Sequence, residues 1–523
     1  MADYEINDVA TIGLVEDIPA HQLPPEAWSS MRNVRVLDTQ QVEKLRGWTN
    51  VFGAASTPPQ FIMNLVDPSQ PWWLYASLTE AYVFNGTSHT EITRASADYN
   101  ASLFTDWDGT ILGGIPIINN GVDPPQYWAD YSIGTRLDDL PNWPANTTAK
   151  AIKAFAPYLV AVNITKAGQH YPHMVKWSHG AEVGAVPTSW DETDETKDAG
   201  ENELHDTRAG MLLNAGMLRG QMYLYKEGSV WRIQQIGGRF IFRFDTFIDS
   251  NGLIGPKAFC LTPDGNKHVC LFQDDVVMHD GQQVKSVLEG RLKRSLFSRI
   301  SQSAYKRCFL FANPGFSEVW ICYPEKGFET PNRALIMNTV SGAITEAVGV
   351  DFVCADIGPV EQTNLVRWNT AIGTWDTYAG GAWGQIERRA VLVGNPTAIK
   401  IFQLDKGDRR NNKDFAVSLG RQGLSLMGQK RSREPIVDFK QEKLYTRVWI
   451  KATGVPFIVR LGVHEWPDGP ISWSEAELFD PAIDHWCDFV QSGRAVAVEF
   501  SSTGPGIWRI HGYKPEIQAL GNF

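Results

Sequence analysis

Three histidines and four aspartates are the residues of this 523-residue chain whose types and spacing invite chemistry. His170 and His173 stand three apart in "HYPH", with His179 close behind. Helical zinc sites need imidazoles four apart on one face, and a strand or turn with this spacing does not supply that, so surface histidines are the plainer reading. Asp106, Asp108, Asp274 and Asp275 are carboxylates of the kind glycosidases use in pairs, but nothing in the sequence pairs them. The six cysteines, Cys260, Cys270, Cys308, Cys322, Cys354 and Cys487, form no C-x-x-C. Cys260 and Cys270 flank a "TPDGNK" turn and could face each other across a hairpin, yet buried reduced thiols are the expectation, because the spacing makes no disulfide framework. The sequence holds no phosphate loop, dinucleotide-binding glycine fingerprint, G-x-S-x-G or H-E-x-x-H. It points away from an enzyme and implies neither cofactor nor metal.

The elements around these residues read as strands. Hydrophobic residues make up 43% and charged ones 20%, which suits a folded globular chain. Abundant aromatics, with Gly 46 and Pro 29 to supply turns and few long Ala/Glu/Lys/Leu runs, favour an all-β fold. Strand-and-turn units recur at 72–93, 109–128, 158–180, 220–244, 267–288, 317–348 and about 378–404. Asn85-Gly86 and Asp280-Gly281 are strong hairpin signals. Starts roughly 40 to 65 residues apart fit one four-stranded propeller blade per unit, with uneven loops. The expectation is a β-propeller of about six blades over 61–410. Residues 1–60 would join a β-rich platform domain with 411–523. A set of unrelated β-sandwich modules is the alternative. From about 430, "LYTRVWIKA" and "RAVAVEF" alternate apolar and polar residues with period two, as a half-buried antiparallel sheet does.

Two segments break the pattern. The acidic "SWDETDETKDAGENELHD" (189–206) reads as a long exposed loop between blades; it lacks the ligand spacing of a calcium-binding EF-hand. "EGRLKRSLFSRISQSAYKR" (289–307) reads as an amphipathic helix with Leu292, Leu296, Phe297 and Ile300 on one face. Arg291, Lys293, Arg294, Arg299, Lys306 and Arg307 make it basic. A net charge of −11 excludes the usual basic nucleic-acid binder, so any contact with DNA would come through local patches or by enclosing it. The N-terminus "MADYEINDVA" lacks the apolar core of a signal peptide. No apolar run nears the ~18–20 residues of a membrane span. Folding in a cytoplasm is the expectation.

The segment "GLVEDIPAHQLPPEAWSSMRNVRVLDTQQVEKLRGW" (13–48) resembles the N-terminus of tail proteins from short-tailed and related bacteriophages. "NNGVDPPQYW" (119–128), "YKEGSVWRIQQIGGRFIFRF" (225–244), "FANPGFSEVWICYPE" (311–325) and "AVAVEFSSTGPGIWRIHGYKPEIQALGNF" (495–523) are similar to later segments of the same family, in the same order. The family is the tail nozzle, or tail tubular, protein, including those called DNA-stabilising proteins. The resemblance implies a structural virion protein in the phage tail, assembled in the host cytoplasm. It would form a homo-hexameric ring below the portal and its adaptor ring, conduct the genome non-specifically, and carry tail fibres or spikes outside. A carbohydrate-binding or glycan-cleaving surface propeller is the competing function.

On the nozzle reading, the opening segment serves assembly. Pro24 and Pro25 stiffen the chain, Trp28 anchors an interface with the adaptor or a neighbouring subunit, and Arg32 and Arg35 pair with acidic neighbours. The plainer alternative is a strand in its own subunit's terminal sheet. Six copies would carry about −66, which keeps phosphates from sticking to a conduit wall. Arg291, Lys293, Arg294 and Arg299 are candidate contacts to DNA or to a protein partner. So are Arg409, Arg410, Lys413, Arg421, Lys430, Arg431 and Arg433 of the basic stretch 406–433.

Overall fold

A computed structural model describes residues 5–65, 72–103, 107–130, 134–206, 210–238, 240–360, 387–424, 442–466 and 469–521. Seven four-stranded antiparallel units follow one another along the chain, six as separate sheets and one, the sixth, as part of a larger sheet. Their innermost strands are Phe61–Leu65, Asp108–Leu112, Thr147–Phe155, Leu212–Leu218, Phe259–Leu261, Phe309–Asn313 and Cys354–Val360. Each blade is tied to the next through side chains and main chain near the axis. Ile152 donates to the Asp108 carboxylate, Asn163 to the carbonyl of Leu212, Asn214 to that of Pro256, and the Leu310 amide to the carbonyl of Lys257. The ring closes where the Asn64 amide meets Asp356 Oδ2 at 2.6 Å and the Trp73 indole donates to the carbonyl of Pro359. The protein is a β-propeller with seven blades, one more than the expected six or so.

Local sequence explains the blades. Gly86 takes φ +93° at the Asn85-Gly86 turn, a backbone state closed to most L-residues. Blades also pack closely: a Cβ on Gly109 would lie 2.6 Å from Met63 Sδ in the neighbouring blade. The seventh blade contains Cys354–Val360, Glu387–Asn395 and Lys400–Leu404, and its outermost strand is Trp48–Ala54. The expected boundary at residue 60 therefore misplaces that strand, which staples the last blade from the start of the chain. The acidic segment differs too. Gly200–Glu203 is the outermost strand of the third blade, and Lys166 and Lys176 pair with Glu192 and Glu201. A polar outermost strand has no apolar alternation to announce it.

The platform is a two-sheet sandwich. One sheet is ordered Trp486–Gly493, Glu442–Gly454, Trp508–Gly521, Val42–Lys44 and Val34–Val36. The other continues the sixth blade. Ile344–Val348 pairs in parallel with Ser30–Arg32, which runs antiparallel to Val417–Leu424; Ala495–Ser502 and Phe457–His464 follow, edged by Ser472–Trp473 and Glu477–Phe479. One hydrogen-bonded sheet thus runs from propeller into platform. Trp28, Phe500, Tyr513, Phe457 and Trp508 fill the space between the sheets in edge and tilted contacts. The helix spans Lys293–Arg299, shorter than 289–307, with Leu292, Leu296 and Ile300 buried and Phe297 partly so.

Candidate functional site

All seven blades contribute to an axial cavity of about 310 Å³, lined by Met63, Asp108, Lys153, Asn214, Lys257 and Asp356 among others. Lys153 Nζ bonds Asp108, whose other oxygen accepts from the Ile152 amide. The Asp356 oxygens accept from the amides of Asn64 and Ile357, and burial pushes its carboxyl up to about 6. Lys257 Nζ lies 5.8 Å from the Phe61 ring centroid. Of the four aspartates singled out by sequence, Asp108 alone is seen here. Asp274 and Asp275 lie at the short helix, where Asp275 pairs with Lys293, and Asp106 is outside the described residues. His170 bonds Asn163 and His179 accepts from the Asp198 amide. Among the described residues no three metal-ligating side chains converge. The six cysteines are free thiols, and register sets Cys260 opposite Val269 and Cys270 opposite Phe259.

The opening segment is consumed largely within its own chain. Trp28 is fully buried between the platform sheets and its indole donates to the carbonyl of Val9, so it cannot anchor a neighbour in this fold. Arg35 is buried under the Phe316 ring, 3.0 Å from Glu318 Oε1 and 2.6 Å from Asp405 Oδ1. Asn313 bridges the same two carboxylates, and burial raises the Glu318 carboxyl. That cluster joins platform, sixth blade and seventh blade. Pro25 is buried and Pro24 exposed. Arg32 is exposed, with Nε 3.9 Å from Glu346.

The basic residues divide the same way. Arg299 and Arg333 both contact Glu346 Oε1, at 2.9 and 3.1 Å, and Arg299 also holds Glu16. Arg291 donates to the carbonyl of Gly342 and Lys293 pairs with Asp275. Arg410 is buried between Trp48 and Phe415, and desolvation brings its guanidinium down to about 9. Arg421 is buried and donates to the carbonyls of Ala20 and Leu23, holding the proline segment. These two are internal braces, since a buried guanidinium is out of reach of DNA. Arg294 and Lys413 are exposed, and exposed Arg409 pairs with Asp414. Lys430, Arg431 and Arg433 lie outside the described residues.

Sequence reading missed the platform's outer side. Trp449 and Trp486 lie with ring centroids 4.7 Å apart, and Arg447 sits against both while pairing with Asp488. Elsewhere on the platform Leu478, Ile483 and Val490 are 70%, 75% and 82% exposed. The phase of the period-two pattern was the available signal: buried Cys487 and Phe489 place Trp486, Asp488 and Val490 outward.

No known family profile matches this sequence, and no curated protein does. Solved structures match it only distantly. The WD40 β-propeller domain of Doa1 is 8% identical with a TM-score of 0.38, covering 68% of this chain and 96% of that one. YCF48 bound to D1 peptide is 12% identical with a TM-score of 0.36, covering 68% and 94%. A fungal alcohol oxidase of the AA5 family, in complex with copper, is 8% identical with a TM-score of 0.40, covering 77% and 86%. The class is set by the chain's own seven blades and their closure: an all-β propeller continuous with a β-sandwich platform. No helix among the described residues is long and apolar enough to cross a membrane.

Proposed function

We propose that this chain is a structural virion protein, the subunit of a hexameric tail nozzle. The ring would sit below the portal and adaptor, form the conduit through which DNA leaves, and dock tail fibres or spikes. One observation carries the assembly part of this reading: the platform leaves Trp449, Leu478, Ile483, Trp486 and Val490 exposed, with the two indoles in contact. Large apolar side chains left in contact at the surface, as the two indoles are, suit coverage by protein. The sequence resemblance supplies the kind of assembly. The sheet shared by propeller and platform suits a part that must transmit load, because ordered main-chain hydrogen bonds cross the junction. Electron imaging of the purified chain, alone and with a candidate adaptor ring, tests the proposal. Rings with an axial opening support it; a chain that stays single in both samples contradicts it.

The glycan-directed alternative has one observation in its favour. Asp356, with its raised carboxyl, shares the axial cavity with Asp108, which is paired with Lys153, and two carboxyls facing one cavity are what acid–base hydrolysis uses. Against it, the backbone amides of Asn64, Ile357 and Ile152 already occupy oxygens of both groups. Hydrolysis of chromogenic glycosides that is lost in Asp356→Asn would favour this alternative.

A further inference from the structure

Residues at the starts of several innermost strands gather around a cleft of about 30 Å³ at the propeller axis. Its walls come from five adjoining blades. Gln60 precedes the inner strand of the first, Trp107 that of the second and Lys257 that of the fifth; Phe309 opens that of the sixth, and Val353 precedes that of the seventh. Trp107, Lys257 and Phe309 also line the axial cavity of about 310 Å³, so the cleft is a mouth of that cavity. The mouth is cationic. Lys257 stands there with Lys306 and Arg307, which come from the turn leading into the sixth blade. Among the described residues no aspartate or glutamate lines the cleft.

Two of the three cations are engaged. Lys306 Nζ lies 3.2 Å from Glu227 Oε1, and Arg307 Nη1 donates to the carbonyl of Glu329 at 2.7 Å. Lys257 differs. Its main chain is fixed, because its carbonyl accepts from the Leu310 amide and it bridges to Phe309. Its side chain is half-buried, and among the described residues its amine meets no acceptor, only the Phe61 ring with its centroid 5.8 Å away. An ammonium partly withdrawn from water gains from a counter-charge. The carboxylates deeper in the cavity do not supply one. Asp108 is taken by Lys153 and the Ile152 amide, and the oxygens of Asp356 accept from the amides of Asn64 and Ile357. The other walls there are largely apolar, with Phe61, Ile62, Met63, Phe259 and Leu310.

We propose that the axial mouth binds a small organic acid, with its carboxylate or phosphate group in the cleft against Lys257 and a ring-sized apolar body in the cavity beneath. The cleft has room for one such group and little more, since a single water already takes about 10–15 Å³ of such space. The cavity beneath is ample for a ring, because an apolar cavity of about 150 Å³ holds benzene. Lys257 supplies the charge that selects acids, and Phe61, Met63 and Phe259 supply the surface that selects a ring. The acid gives Lys257 the counter-charge that its own chain withholds. This binding does not depend on whether the chain forms a ring of subunits.

Calorimetric titration of the full chain with benzoate and with phenyl phosphate, beside neutral benzyl alcohol, tests the proposal. At least one acid should bind about tenfold or more tighter than the alcohol. Lys257→Met keeps most of the stem and removes the charge. It should weaken the acid about tenfold or more and leave binding of the alcohol and thermal unfolding unchanged. Lys306→Gln should weaken the acid less, because Glu227 already offsets that charge. Preference for benzoate would mark a carboxylate head and preference for phenyl phosphate a phosphate one, and either upholds the inference. Acids that bind no better than the alcohol, or as well to Lys257→Met as to the wild-type chain, would overturn it. So would failure of both acids to bind at concentrations on the order of 10 mM. None of these outcomes bears on the ring reading.

Discussion

Propeller and platform treat their edges in opposite ways. The propeller closes on itself: its last blade takes Trp48–Ala54 as an outer strand, and Lys153 pairs with Asp108 inside the axial cavity. The platform ends in open strands and leaves Leu478, Ile483 and Val490 in solvent. Both draw strands from the first 54 residues of the chain. The difference teaches where the chain is finished and where it awaits something else. A closed ring of sheets needs no partner to satisfy its backbone. A sandwich with unpaired edges and projecting aliphatic groups gains from one.

The largest expected effects lie where the two parts meet. Trp28→Ala removes the largest side chain between the platform sheets and should lower unfolding stability by about 3–5 kcal/mol in chemical denaturation. Arg35→Ala should cost a similar amount, about 3–5 kcal/mol, because Glu318 and Asp405 would keep buried carboxylates without their cation. If the parts are welded as described, both variants should unfold in one transition; separate transitions would break the comparison.

The junction between the fourth and fifth blades should respond to acid. The Tyr225 hydroxyl bridges His268 and His279, and burial holds these imidazoles down at about 4 and about 3. Unfolding frees both rings to bind protons near their ordinary 6.5, so their contribution is full above pH 6.5 and falls as pH drops towards 4. The loss is on the order of 3 kcal/mol for each ring. Denaturation midpoints between pH 7 and 4 check this, and replacing both rings with glutamine should flatten the profile.

The smallest effect on the fold is expected on the platform's edge strand Trp486–Gly493. Val490→Lys should change unfolding stability by less than about 0.5 kcal/mol, since that side chain is 82% exposed. Its effect on self-association should be far larger than its effect on stability. A substantial loss of stability there would mean that the outer face of this strand is part of the platform's own packing.

Sequence reading found what is local. Asn85-Gly86 and Asp280-Gly281 marked real hairpins, and the alternation in "LYTRVWIKA" marked a real platform strand. It failed where partners are distant in the chain. Trp48–Ala54 looked like platform because nothing local reports its pairing with Lys400–Leu404. Arg35 and Arg421 looked like surface cations because Glu318, Asp405 and the carbonyls of Ala20 and Leu23 become neighbours only on folding. Outward Trp486 and Val490 went unnoticed because an alternating strand shows its period before it shows which phase faces water.

The mass of the wild-type chain in solution, by light scattering across a concentration series and again with a candidate adaptor ring, tests the central claim most directly. A species of about 350 kDa, six copies of the 58.4 kDa chain, is the result expected of a ring-forming subunit. A single-chain mass at every concentration and with the adaptor present would contradict it.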